Sequence, residues 1–194
     1  MTLRIRLFGS LSAELDGVPL SAGIGRNVRG LLAFLALHRP QLHQRESIAE
    51  VFWPDADPGQ ARRSLNTTLW RLRRLIEPHS VKRGDHLVGT AHGEIGLRNS
   101  DVVWVDIAEF EAVVKTGLAT NGRLSEPEDR VLLTALELYV ADAFDGIYHD
   151  WAVRERERLR CLYIEGLRKH MEYLSARGDY AGAISCGARI LTVC

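Results

Sequence analysis

The chain has 194 residues, 46% of them hydrophobic and 26% charged, with a formal net charge of zero. That is ordinary globular composition, enough for one large domain or two small ones, and no apolar run reaches the ~18 residues of a membrane-spanning helix. Three scattered cysteines (Cys161, Cys186, Cys194) form no C-x-x-C, which argues against a disulfide framework or a cysteine zinc site and points to a reducing, cytoplasmic setting without a membrane partner. The zero net charge hides an asymmetry. Residues 1–98 carry 14 Lys+Arg against 9 Asp+Glu, and residues 99–194 carry 11 against 16. A basic half joined to an acidic half suggests that one part meets a polyanion and the other does not.

Leu3, Ile5 and Leu7 alternate with Arg4 and Arg6, which predicts a strand with one buried face rather than a signal peptide. Asp16-Gly17 is a strong hairpin turn between Leu11–Leu15 and Val18–Leu20. A mostly buried helix is expected over Val28–His38, stopped by Pro40, and a second over Arg45–Trp53, ended by Pro54. Residues 54–59 (P-D-A-D-P-G) read as a loop. A third helix is expected over Gln60–Glu77, closed by Pro78. Two short strands follow, His86–Ala91 and Glu94–Leu97, around a His92-Gly93 tip, with Val102–Val105 as a candidate further strand. From Asp106 onward the pattern is wholly helical: Asp106 as a cap, a helix with Pro127 in its first turn reaching about Tyr139, a long amphipathic stretch over Trp151–Arg177, and a last helix from Asp179. Small antiparallel sheets followed by helices make an α+β unit and then an all-α unit, divided as residues 1–100 and 101–194.

The third helix carries the chemistry. Leu65, Leu69, Leu72 and Ile76 form its core stripe, and Arg63, Thr67, Trp70 and Arg74, flanked by Asn66 and Arg71, lie opposite. Residues 60–83 hold seven basic residues against Glu77 alone. An ordinary solvated helix face mixes both signs. Arginine is able to pair with guanine or a phosphate, asparagine with adenine, and threonine to donate to phosphate or touch a thymine methyl. Two helices, a loop, this helix and a hairpin are the parts of a winged helix-turn-helix. Arg63, Asn66, Thr67, Arg71 and Arg74 are therefore expected to meet bases or phosphates, Arg62, Lys82 and Arg83 the backbone, and His92 to lie near the wing tip. Trp70 is expected to pack, either on the wing or against a sugar-phosphate backbone.

The stretch from Leu3 to about Arg98 resembles the DNA-binding domain of the SARP-type bacterial activators, a branch of the OmpR-like winged helices. The residues that carry the resemblance are Leu3-Arg4-Ile5-Arg6-Leu7-Phe8-Gly9, Asp16-Gly17, the Arg29–Leu37 helix, Phe52-Trp53-Pro54-Asp55, and Ala61-Arg62-Arg63-Ser64-Leu65 running into Leu72-Arg73-Arg74-Leu75. The remainder resembles the TPR-like bacterial transcriptional activator domain that follows in that family, through 105–110 (V-D-I-A-E-F), Asp145-Gly146, 151–156 (W-A-V-R-E-R) and Gly178-Asp179-Tyr180-Ala181. The resemblance implies a promoter-binding activator on double-stranded DNA, paired head to tail on direct repeats. It also implies a loop (Pro54, Asp55, Asp57, Pro58) that contacts RNA polymerase or its sigma factor, and a nucleoid-associated location. The family module continues beyond the point where this chain stops, so the helical unit reads as truncated, and Ile184, Ile190, Leu191 and Val193 are expected to form an apolar strip that drives self-association.

No catalytic, cofactor or metal set emerges. Residues 23–30 (G-I-G-R-N-V-R-G) nearly spell a dinucleotide fingerprint, but Val28 stands where the third glycine belongs and no βαβ unit surrounds it. There is no P-loop, the histidines lack metal spacing, and residues 154–158 (R-E-R-E-R) read as an ion-paired, solvated face. The alternative to DNA binding is a degenerate winged helix used for protein docking, which would need no arginine excess.

Overall fold

The computed structural model describes residues 1–20 and 24–193. Cys194 and Gly23, the first glycine of the near-fingerprint, lie outside the described residues. Strands β1 (Leu3–Arg6), β2 (Ser12–Leu15) and β3 (Val18–Pro19) open the chain as an antiparallel meander, with Leu3 opposite Leu15 and Leu15 opposite Val18. Asp16 and Gly17 both have positive φ (48° and 80°), the requirement of a two-residue turn that follows the twist of its strands. The period-2 pattern holds: Leu3, Ile5 and Leu7 are buried and Arg4 and Arg6 exposed.

Helix α1 (Arg26–Leu37) follows this hairpin and not a strand of a βαβ unit, and the short β4 (His43–Gln44) leads into α2 (Arg45–Phe52). Helix α3 (Pro58–Ile76) begins two residues earlier than the periodicity suggests, because Asp57 accepts the Gln60 N–H at 3.0 Å and Pro58 fits the first turn. β5 (Leu87–Gly89) and β6 (Glu94–Leu97) form the wing, paired Leu87 to Leu97, with β6 also paired to β4 through His43 and Ile95. β7 (Val103–Val105) joins the first sheet beside β1 in parallel register, Leu3 opposite Val103, giving the order β3-β2-β1-β7.

Four helices follow: α4 (Asp106–Ala119), α5 (Glu126–Leu136), α6 (Asp150–Ala176) and α7 (Tyr180–Val193). Ser125 and Glu128 build a capping box at the start of α5, and Gly178 (φ 78°) ends α6. The architecture is a small-sheet winged helix followed by an all-α array. One continuous hydrophobic cluster runs through both, and at the seam Phe34 of α1 meets Trp151 of α6 edge to face at 5.4 Å while His149 lies 4.7 Å from Phe52 of α2.

Four sequence expectations need correction. The chain is not wholly helical after Asp106: residues 137–149 form an irregular segment that bridges back to the first sheet, Phe8 to Ala143 and Ser10 to Asp145. Its turns depend on positive φ at Phe144 and Gly146, which hydrophobic periodicity does not report. Asp106 is not the cap residue of α4 but its first residue. Its buried carboxylate accepts the Leu7 and Phe8 backbone N–H groups (2.8–3.1 Å) as well as that of Ile107 (2.7 Å). Burial pushes that carboxyl above its usual range, and the same N–H groups oppose the shift.

The run over Arg154–Arg158 is not uniformly solvated. Arg156 turns inward and donates to the carbonyls of Ala143, Phe144 and Ile147. The expected apolar strip on α7 is narrower than its composition suggests, since Ile190 and Val193 pack against the core while Ile184 (74% exposed) and Leu191 (78%) face solvent.

The irregular segment also carries a titratable link. Asp142 pairs with Arg160 of α6 and accepts the Tyr139 hydroxyl at 2.6 Å. The Arg160 guanidinium holds the Asp142 carboxyl below the usual carboxylate range. A depressed folded pKa contributes stability that is present above the unfolded value of about 3.9 and is lost as pH falls through the folded value. Asp142→Asn is therefore expected to lower Tm at pH 7 and to flatten the acid limb of the Tm–pH curve, the two proteins converging at low pH.

Candidate nucleic-acid interface

Helix α3 is positioned from below by its stripe. Ala61, Leu65, Thr68, Leu69, Leu72 and Ile76 are buried, against α1 and α2, and this fixes which face points outward. Arg63, Asn66, Thr67, Trp70, Arg71 and Arg74 are all exposed on the other side. Over its 19 residues the helix is about 28 Å long, at roughly 1.5 Å per residue. It carries no acid at all, so its outer face is one-signed. Among the described residues Arg63, Arg71 and Arg74 form no salt bridge.

The structure brings five expected residues (Arg63, Asn66, Thr67, Arg71, Arg74) onto this face and distributes the others. Arg62 is exposed at the N-terminal end but turns toward α2, where it lines a groove of about 570 Å³ with Arg45, Glu46, Trp53 and Pro54. Lys82 and Arg83 are exposed in the loop beyond the opposite end of α3. His92 is exposed at the tip of the β5–β6 hairpin, in a turn closed by Gly93 N–H to Thr90 O (3.2 Å), with Gly93 at φ 85°. Exposed basic residues are thus found on α3 and in the loop between α3 and the wing. Pro54, Asp55, Asp57 and Pro58 are exposed in the α2–α3 loop, and Asp57 is already engaged as the α3 cap.

Local bonding refines two roles. The Thr67 hydroxyl donates to the Arg63 carbonyl (3.0 Å), so its proton is not free for a phosphate and its methyl and oxygen lone pair are what it offers. The Asn66 side-chain oxygen lies 3.4 Å from a donor of Arg45, which adds a guanidinium from α2 beside the outer face of α3. Arg45 stands alone at a helix start, and no periodicity or local run marks it in the sequence. Arg73, although part of the basic run, points away from this face. It pairs with buried Glu77 (2.6 Å) and donates to the Leu87 carbonyl of the wing (3.1 Å). Trp70, expected to pack on the wing or against a sugar-phosphate backbone, is 58% exposed in the free chain, with the Arg74 guanidinium 4.9 Å from its ring centroid.

The fold is thus a winged helix-turn-helix with a one-signed third helix, continued into an array of helices. Residues 105–194 match the family model described as the bacterial transcriptional activator domain, and the winged helix precedes them. The transcriptional regulatory protein MoaR1 of Mycobacterium tuberculosis is 27% identical over 121 residues, covering 62% of this chain and 38% of MoaR1. The regulatory protein AfsR of Streptomyces coelicolor is 26% identical over 186 residues, 94% of this chain and 18% of AfsR. Mycobacterium tuberculosis EmbR, solved in complex with a low-affinity phosphopeptide, has the same fold at a TM-score of 0.75 and 23% identity, over 94% of this chain and 48% of that one. The chain therefore spans less than half the length of each of these proteins. Among the described residues no helix is long and apolar enough to cross a membrane, and no group of three or more His, Cys, Asp and Glu residues could hold a metal ion.

Proposed function

We propose that the chain is a sequence-specific, DNA-binding transcription activator. On this reading residues 1–100 form the DNA-binding unit and residues 101–194 the helical unit. Helix α3 lies in the major groove, and the β5–β6 wing reaches the neighbouring minor groove or backbone. The observation that carries the reading is the acid-free outer face of α3, where Arg63, Asn66, Thr67, Arg71 and Arg74 are exposed together. Arg62, Lys82, Arg83 and His92 extend the interface along the backbone on either side. The regulatory names of MoaR1 and AfsR agree with this assignment. Binding of RNA polymerase or its sigma factor through Pro54–Pro58, and head-to-tail pairing on direct repeats, belong to the same proposal. The exposed α2–α3 loop supports the first, and sedimentation on a repeat-bearing duplex tests the second.

Fluorescence anisotropy against promoter DNA from the neighbourhood of its own gene and against scrambled DNA, across a salt series, tests the central claim. Tighter promoter binding that weakens steeply with salt is expected, because each neutralised phosphate releases counterions. Alanine at both Arg71 and Arg74 is expected to cost about 1–3 kcal/mol for each arginine that pairs with a base, and to reduce the salt slope by roughly one for each that holds a phosphate. Unchanged DNA affinity in that double variant removes α3 from the interface. No binding even at low salt leaves a winged helix used for protein docking.

A further inference from the structure

We propose that Trp70 is the apolar reading element of α3 and that it contacts a thymine methyl group in the major groove. The inference rests on the DNA-binding reading above and assigns a specificity to one position of that interface. Trp70 sits at the centre of the outer face. At 3.6 residues per turn, Arg63 lies about 20° from it around the helix axis, Arg74 and Asn66 about 40° on opposite sides, and Thr67 about 60°. The indole is 58% exposed, an unusual setting for the largest apolar side chain on a helix whose other face is well buried.

What covers that ring in use is set by its surroundings. The residues around it are basic or neutral, with no acid on the helix, so a protein surface bringing its own cations is excluded and a polyanion is favoured. Among the base edges of the major groove, the only apolar group is the thymine C5 methyl. Beside the indole, the exposed Thr67 has its hydroxyl held by the Arg63 carbonyl, which leaves its methyl as a further apolar group on this face. Arg74, stacked on the ring at 4.9 Å, is a positioning partner: the cation–π interaction holds the guanidinium along the indole while its charge remains available to the DNA.

The test begins with duplexes selected by the intact chain from a randomised pool. Each dT of the selected site is then replaced by dU, which removes the methyl and leaves the hydrogen-bonding edge unchanged. At one position this is expected to weaken binding about fourfold, the equivalent of one buried carbon. Trp70→Ala is expected to weaken binding to the selected site more than to scrambled DNA and to abolish the response to that dU. Trp70→Phe is expected to recover part of both properties. Because the side chain is exposed, all three proteins are expected to melt alike. Equal weakening of selected and scrambled DNA by Trp70→Ala makes the indole a sugar-phosphate packing group and overturns the proposal, as does a dU response that persists in that variant. If the chain selects no duplex, the DNA-binding reading itself fails, and this inference with it.

Discussion

Replacing Glu77 with alanine is expected to lower the unfolding free energy by about 3–5 kcal/mol, the usual cost of removing one partner from a buried charged pair. The Glu77 carboxylate, 1% exposed, closes the C-terminal end of α3 onto the wing. One oxygen accepts the backbone N–H groups of Gly84, His86 and Leu87 at 2.8–3.0 Å, and the other accepts Arg73 at 2.6 Å. Without it three backbone donors are left with no acceptor and a half-buried guanidinium with no counter-charge. Glu77→Gln keeps one carbonyl oxygen for the three N–H groups and is expected to cost less. Arg73→Ala is also expected to be milder, because it leaves those three bonds in place. Denaturant melts give the free energies. Amide exchange at Gly84, His86 and Leu87 locates the effect, with protection falling there before it falls in β1. Loss of protection spread evenly over the chain shows that Glu77 does not act as a local link between α3 and the wing. Because the wing is no longer anchored, DNA affinity is expected to drop in Glu77→Ala although the residue is buried away from the outer face.

Asp106→Ala is expected to cost about 3 kcal/mol or more, because it leaves the backbone donors of Leu7, Phe8 and Ile107 without their acceptor, at roughly 1–3 kcal/mol each. Leu7 and Phe8 lie just past the end of β1, where the chain leaves the sheet, and the Asp106 carboxylate at the start of α4 accepts both N–H groups. The bond ties the first strand to the first helix of the helical unit across about a hundred residues of sequence. Asp106→Asn is nearly isosteric, yet it must turn an amide NH2 toward one of the backbone N–H groups, so it is expected to destabilise almost as much as alanine. A near-neutral Asn variant in urea or thermal melts removes the acceptor role.

The outer face of α3 was legible because two local signals coincide: a 3.6-residue apolar stripe and an arginine run with a single acid at its end. Periodicity fixes which side is buried, and composition fixes the sign of what remains outside. The hairpin at Asp16-Gly17 was legible for the same local reason, since both positions must adopt positive φ. Arg45 was not legible, because its place beside Asn66 depends on how α2 crosses α3. Trp70 was legible as a member of the outer face, because that placement follows from helical spacing alone.

By itself, then, the sequence determined the order of elements, the buried and exposed faces of α3, and the basic character of the first half, all consequences of residue spacing and charge along the chain. Only the tertiary structure decided which charged groups are free to meet a ligand. Arg73, Glu77, Asp106 and Arg156 look in sequence like members of solvated runs or caps, yet each is committed to backbone or side-chain groups brought to it by folding. The physical reason is that a charge withdrawn from water must find partners wherever the packed chain supplies them, and those partners are set by three-dimensional proximity rather than by sequence spacing.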